Sequence, residues 1–338
     1  MSEHDPARDA SMPTASPFGD HGGRLDAAMA AYGGTRENWL DLSTGINPVP
    51  YPLPPIPEHA WTRLPDHDAT EALLGAARSF WSVPDEAEVI LAPGLSSVIA
   101  RLPWLAEAKE VHIPGRPTYN EYYASAQASG AEVVRQRAKL NIFVHPNNPD
   151  GRRWRDDDIS GPGLAVVDES FCDVTPEASH IARTAEHGTV ILKSFGKFWG
   201  LAGVRLGFAI LRRGPLVETL RNSLGPWPVS GPALAIGTAA LSDVVWADAT
   251  RARLAKDAQR LDELVWKVGA YAVGGTSLFR LYEFGDAEAW HRGFAKHRVL
   301  SRTFPWSSVK VRLGLPPPDR WAQIEAAIED GQNQGGFW

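Results

Sequence analysis

Between Val89 and Leu211 the chain alternates short apolar runs with helix-forming segments, and this alternation restricts the fold more than any other feature. Val89-Ile90-Leu91, Glu110–Ile113, Glu132-Val133-Val134, Ile142-Phe143-Val144, Leu164–Val167, Thr189–Leu192 and Leu206–Leu211 each read as a strand. Ser96–Leu105, Tyr119–Ser129 and His180–Glu186 read as the helices between them. Short apolar strands separated by helices make a mainly parallel sheet, because the crossover helices cover both of its faces. The expected fold class is therefore α/β. In such sheets ligands bind beyond the carboxyl ends of the strands, and Gly94, Asn148, Asp168 and Lys197 all fall just after strands or at their ends.

Outside this region the pattern changes. Leu25–Tyr32 reads as a short helix, Pro48–Pro57 as an extended connector, and the segment from Ala69 to Phe80 as a helix closed by Pro84. From Pro215 to Val268 the chain is helical, broken at Pro226-Trp227-Pro228. Strands at Ser277–Phe284 and Val309–Leu313, with helices at Ala287–Lys296 and Pro318–Glu329, predict a smaller α+β unit. The expected division is a disordered tail over 1–19, a segment 20–57 packing with the small domain, a large domain 58–265 and a small domain 266–338. The tail is polar and carries Pro6, Pro13 and Pro17, without the apolar core of a signal peptide.

A net charge of −6 argues against nucleic acid or an anionic membrane as a partner, and no stretch reaches transmembrane length. Cys172 is the only cysteine, so no disulfide framework or multi-cysteine metal site can form within one chain. That usage fits a reducing, cytoplasmic setting.

The residues that point to chemistry cluster after the strands. Lys197 follows the run Thr189–Leu192, inside Ser194-Phe195-Gly196-Lys197-Phe198-Trp199-Gly200-Leu201-Ala202-Gly203-Val204-Arg205-Leu206-Gly207. A lysine partly shielded from water there is a better nucleophile toward a carbonyl. Ser194 and Arg205 supply a hydroxyl and a fixed cation suited to a phosphate. Together they point to a lysine that attaches pyridoxal phosphate (PLP). A lone lysine after a strand is more often a surface residue; the Ser-x-x-Lys spacing and the glycine-rich tail decide against that here. Asp168 ends a buried strand one strand-helix-strand unit before Lys197, and a carboxylate there suits a protonated pyridine nitrogen. Taken alone it could equally cap a helix or bind a metal. Asn148 lies in a turn, His145-Pro146-Asn147-Asn148-Pro149, and becomes a candidate donor to the cofactor's phenolic oxygen beside Asp168 and Lys197. Gly94-Leu95-Ser96 joins a strand to a helix and can cradle a phosphate, although serine at a helix start is often only a cap. Tyr119 could stack on the cofactor or simply fill core. Arg312 could hold a substrate carboxylate bidentately, and Arg302 with His21 a second anion. Glu169 and Asp173 read as solvated or structural.

In this order the motifs resemble those of the PLP-dependent aminotransferases of the aspartate-aminotransferase fold, over nearly the whole chain from His21. The histidinol-phosphate aminotransferase-like branch is the nearest, and within it the L-threonine-O-3-phosphate decarboxylases of cobalamin biosynthesis. The residues that favour that group are His21-Gly22-Gly23, Trp39-Leu40-Asp41-Leu42-Ser43-Thr44-Gly45-Ile46-Asn47-Pro48, Arg63-Leu64-Pro65-Asp66 and Pro226-Trp227. The resemblance implies a large domain with a seven-stranded-type sheet, PLP as cofactor, a phosphorylated amino-acid substrate and a homodimer. It implies Lys197 as the attachment lysine, Asp168 as the pyridinium partner, Asn148 at the phenolic oxygen and Tyr119 at the ring face. Gly94, Leu95, Ser96, Ser194 and Arg205 would hold the cofactor phosphate. Arg312, Asn148, Gly45 and Asn47 would meet the substrate, with His21 and Arg302 toward its phosphate.

Phe171 stands where the related aminotransferases usually carry a tyrosine, which favours decarboxylation. Leu64, Gly45 and Asp150 depart from the usual tyrosine, asparagine and threonine. An aminotransferase of the histidinol-phosphate type, and a non-catalytic scaffold on the same fold, are the alternatives.

Overall fold

The runs between 87 and 212 are apolar on both faces, and they pair edge to edge into a single sheet. The computed structural model describes residues 21–115 and 117–333. The segment 1–19, expected to be a disordered tail, lies outside the described residues. In chain order the strands are β1 (Leu40–Asp41), β2 (Ala87–Ala92), β3 (Glu110–His112), β4 (Glu132–Val134), β5 (Leu140–Val144), β6 (Leu164–Asp168), β7 (Thr189–Ser194), β8 (Gly207–Arg212), β9 (Tyr271–Thr276), β10 (Phe279–Glu283), β11 (Val299–Leu300), β12 (Arg302–Phe304) and β13 (Ser307–Gly314).

The large sheet has the order β2-β8-β7-β6-β5-β3-β4. Strands β3 to β7 run parallel to their neighbours, and β8 alone runs antiparallel, against both β7 and β2. Successive residues of one strand enter opposite cores: Phe143, Val167, Ile191 and Phe208 on one face, Ile142, Val166, Val190 and Ala209 on the other. That two-sided burial is why these strands are apolar throughout rather than alternating.

The smaller sheet is antiparallel, with the order β12-β13-β10-β9. β1 pairs in parallel with β11, which joins the N-terminal segment to this small unit. Ala28 and Trp39 pack there against Ala295 and Leu300.

Several expected elements differ. The helix expected over Ser96–Leu105 is two short helices, Leu95–Ile99 and Leu102–Leu105. Pro103 lacks an N–H and is tolerated only in a first turn, so it starts a helix and cannot continue one. His180–Glu186 tightens to a 3₁₀ helix over Ile181–Ala185. The single strand expected at Ser277–Phe284 is the second half of a hairpin, with β9 before it. The signal for β9 was obscured by Gly274 and Gly275, residues that weaken a strand pattern. They are required because a Cβ at Gly274 would lie 2.1 Å from the Asp150 carbonyl oxygen, and Gly275, whose N–H donates to that carbonyl at 2.8 Å, has φ 126° with a Cβ position 2.4 Å from the Phe279 carbonyl oxygen. The short strands β11 and β12 gave no usable signal.

Candidate active site

The register of the central strands decides what can meet. Val144 lies opposite Asp168, and Asp168 opposite Leu192, so β5, β6 and β7 end at one edge of the sheet. The loops that follow carry Asn148 and Lys197.

Asp168 is buried. Its Oδ2 accepts from the Tyr122 hydroxyl at 2.7 Å, and its Oδ1 from the Ser170 N–H at 2.9 Å and the Ser170 hydroxyl at 2.5 Å. Burial nevertheless pushes its carboxyl above the usual range, against those hydrogen bonds and the pull of Lys197. Three donors do not offset the loss of water, so the site has use for a cation. Tyr122 was missed from sequence. Its signal was its place in the helix Glu121–Ser129, just after Tyr119, whose ring packs edge-on to it at 6.1 Å.

Lys197 is half-buried, with Nζ 5.5 Å from the centre of the Phe171 ring. Burial, then the nearby Arg312 charge, lower its amine from 10.5 to about 8, while Asp168 opposes the shift. The amine therefore holds fewer protons in the folded chain than in the unfolded one between pH 8 and 10.5. Stability contributed by Lys197 rises with pH through that window. In cofactor-free protein, acylation of Lys197 should increase about tenfold per pH unit below pH 8 and level off above it, as followed by mass spectrometry of the labelled peptide. A midpoint near 10.5 would show an unshielded amine.

Of the residues expected at a cofactor phosphate, Gly94, Ser96 and Arg205 meet. Arg205 lies in the left-handed region, with φ 53°, and donates to Ser96 Oγ at 3.1 Å and to the Ala202 carbonyl at 3.0 Å. A Cβ at Gly94 would lie 2.5 Å from the Arg205 guanidinium, so only glycine admits this approach. Leu95 begins the short helix Leu95–Ile99, with Gly94 as its N-cap. Ser194 ends β7, and its Oγ accepts from the Gly196 N–H at 3.4 Å.

Arg312, on β13, donates to Asn148 Oδ1 and to the Ser43 carbonyl. Its guanidinium lies 5.2 Å from the Phe279 ring centre, and Phe279 packs edge-on to Phe171 at 4.9 Å. Gly45 sits under both rings: a Cβ there would lie 2.8 Å from Phe279 and 2.9 Å from Phe171. That packing leaves no room at 45 for a larger residue. Arg302 pairs with Arg312 across β12 and β13. Asp150 holds the turn by accepting from the Asn147 side chain and the Arg152 N–H.

Asn47, expected at the substrate, is tied to the lysine loop. Its amide donates to the Phe198 carbonyl at 2.8 Å and accepts from Arg253, while its N–H donates to the Lys197 carbonyl at 3.0 Å. The side-chain NH₂ and the backbone N–H of Asn47 hold the lysine loop, while its Oδ1 is anchored by Arg253. His21 Nε2 lies 2.7 Å from Glu121 Oε1, a partner that sequence did not suggest.

Glu169 and Asp173 are buried rather than solvated. They face Lys193 at 2.7 Å and 3.4 Å, and Asp173 also accepts from Trp81 Nε1 at 3.0 Å. The ion pair ties β6 to β7 directly behind Asp168 and Lys197. Lys193→Met leaves two carboxylates without their buried cation and should cost about 3–5 kcal/mol, read as a fall in Tm. Loss of under 1 kcal/mol would show that the pair is dispensable.

The model of the class I and II aminotransferases matches residues 135–304. A threonine-phosphate decarboxylase of a Sinorhizobium species is 38% identical over 315 residues, covering 88% of this chain and 93% of its own. The chain belongs to the threonine-phosphate decarboxylase family. A second member, from Pseudomonas aeruginosa, is 37% identical, covering 91% of this chain and 97% of the relative. Among solved structures, histidinol-phosphate aminotransferase of Sinorhizobium meliloti in complex with pyridoxal-5'-phosphate superposes with a TM-score of 0.75 at 15% identity, covering 96% of each chain. That likeness is one of fold. The family is PLP-dependent, and the residues here fit the cofactor: a glycine-lined cradle for phosphate, a buried carboxylate short of a cation and a shielded amine.

Proposed function

We propose that the protein decarboxylates L-threonine O-3-phosphate to (R)-1-amino-2-propanol O-2-phosphate, a step of cobalamin biosynthesis, with PLP as cofactor. The observation that carries this is the meeting of Lys197 with Asp168 and Arg205 at the edge of the large sheet and with Arg312 from the small sheet. Gly94, Leu95, Ser96, Ser194 and Arg205 would hold the cofactor phosphate, Lys197 its aldehyde, Asp168 its ring nitrogen, Asn148 its phenolic oxygen and Tyr119 its ring face. When bound, PLP accepts the electron pair left at Cα as the carboxylate departs. Arg312 orients the substrate carboxylate, and the Phe171–Phe279 wall keeps water from it. Loss of CO₂ breaks the Cα–carboxyl bond, and a proton from the Lys197 ammonium takes its place. Arg302 and His21 meet the substrate phosphate.

Purified protein with PLP and threonine phosphate should release CO₂ with no oxo acid present. Turnover that depends on 2-oxoglutarate would instead identify an aminotransferase, and PLP binding without either reaction a scaffold.

The proposal includes a homodimer in the cytoplasm. Leu53, Trp61, Leu64 and Trp227 are all more than half exposed, which supports a covered apolar face in the assembly. Leu64 would join that face in place of the tyrosine hydroxyl of relatives. Among the described residues no helix is long and apolar enough to cross a membrane.

A further inference from the structure

We propose that Tyr122 is a positioning residue for the cofactor: its hydroxyl holds the one oxygen of Asp168 that has room left to accept from the ring nitrogen. This rests on the reading of Asp168 above and assigns a role to a buried tyrosine that the chemistry described so far does not use.

The donors around the carboxylate identify that oxygen. An ionised carboxylate accepts at about two positions on each oxygen. Oδ1 takes two donors, the Ser170 N–H at 2.9 Å and the Ser170 hydroxyl at 2.5 Å. Among the described residues Oδ2 takes one, the Tyr122 hydroxyl at 2.7 Å. The open position therefore lies on Oδ2, beside the bond from Tyr122. Ser170 follows Asp168 closely in the chain and holds Oδ1 through their shared turn. Tyr122 reaches Oδ2 from a different element, the helix Glu121–Ser129, and fixes it against rotation about Cβ–Cγ, a soft torsion when free.

Tyr122 is placed to donate and to stay where it is. It is fully buried, in the core on one face of the large sheet with Ile142, Val144, Val166 and Leu192. Burial, then the charge of Asp168, raise its hydroxyl well above the usual range, so it keeps its proton beside the carboxylate. Its hydrogen bond works with those from Ser170 against the burial that disfavours the Asp168 charge. A hydrogen bond to the charged carboxylate is stronger than one to the neutral acid, so Tyr122 favours the form that pairs with a protonated ring nitrogen. Tyr122→Phe keeps the ring and its packing, and the variant should fold.

The test titrates two ligands calorimetrically into cofactor-free protein: PLP, and its analogue with C–H in place of the ring nitrogen. Both carry the phosphate, the aldehyde and the phenolic oxygen, but only PLP can engage Asp168 through its ring. Tyr122→Phe should weaken PLP about tenfold or more and leave the analogue within about twofold of wild type. In an Asp168→Asn background, which removes the charge, Tyr122→Phe should change PLP affinity by no more than about twofold. An equal loss for both ligands, or none for PLP, overturns the assignment, because the hydroxyl then serves packing alone. Wild type that binds the analogue as tightly as PLP defeats the underlying reading of Asp168 as the ring-nitrogen partner, and this assignment with it.

Discussion

Lys197→Ala is expected to lower decarboxylation by at least about 10²–10⁴-fold, the range associated with a positioned acid–base group. The loss has two sources. The variant has no amine to attach the cofactor's aldehyde, and none to return a proton to Cα. Borohydride treatment separates the first from general damage: wild type should gain the mass of the reduced cofactor on the peptide that contains Lys197, and the variant should gain none. The lysine carbonyl is held by Asn47 and the neighbouring backbone by Tyr51 N–H to the Trp199 carbonyl. The loop should therefore stay in place when the side chain is removed. Turnover within tenfold of wild type would remove Lys197 from the chemistry.

Asp168→Asn is expected to act in opposite directions on function and on the cofactor-free fold. In the cofactor-free protein the carboxylate is disfavoured by burial. A carboxyl with a raised folded value opposes folding as pH rises above its unfolded value of about 4. Asparagine removes that penalty, and Tm without cofactor should rise. With cofactor, the same change leaves the ring nitrogen without its ionic partner. Breaking a buried charge pair costs about 3–5 kcal/mol, roughly 10² to 5 × 10³-fold in affinity or rate. Titration of PLP into both proteins, beside their melting curves, checks both halves. Equal cofactor affinity would show that Asp168 is not the partner.

Much of this site was legible because its parts are local. Gly94, Asp168 and Lys197 sit at strand ends, and the rule that ligands gather there needs only the strands to be found. Arg205 follows in the glycine-rich run after Lys197, so one segment carried both. What sequence hid was long-range or ambiguous in type. Glu121 meets His21 from a hundred residues away, and an acidic residue early in a helix suggests nothing more than favourable capping. Tyr122 resembles a core tyrosine until its hydroxyl is seen on Asp168. Asn47 lies in a segment that resembles substrate-binding sequence, and only tertiary hydrogen bonds show it serving the lysine loop. Lys193 and Glu169 alternate in facing with Ser194 and Asp168, so the pleat sends one pair into the core and leaves the other for the ligand. The hairpin of β9 and β10 is hidden in the sequence because its glycines answer to the approach of Asp150, not to strand propensity.

The N-terminal segment has one consequence of its own. Leu40 and Asp41 are paired to β11, and a few residues later Asn47 and Tyr51 grip the loop around Lys197. A strap anchored at both ends leaves neither end independent travel, so a shift of the small sheet tugs on the nucleophile. A proteolytic nick between Asp41 and Asn47 would part the end of this strap paired to β11 from the end that holds the lysine loop.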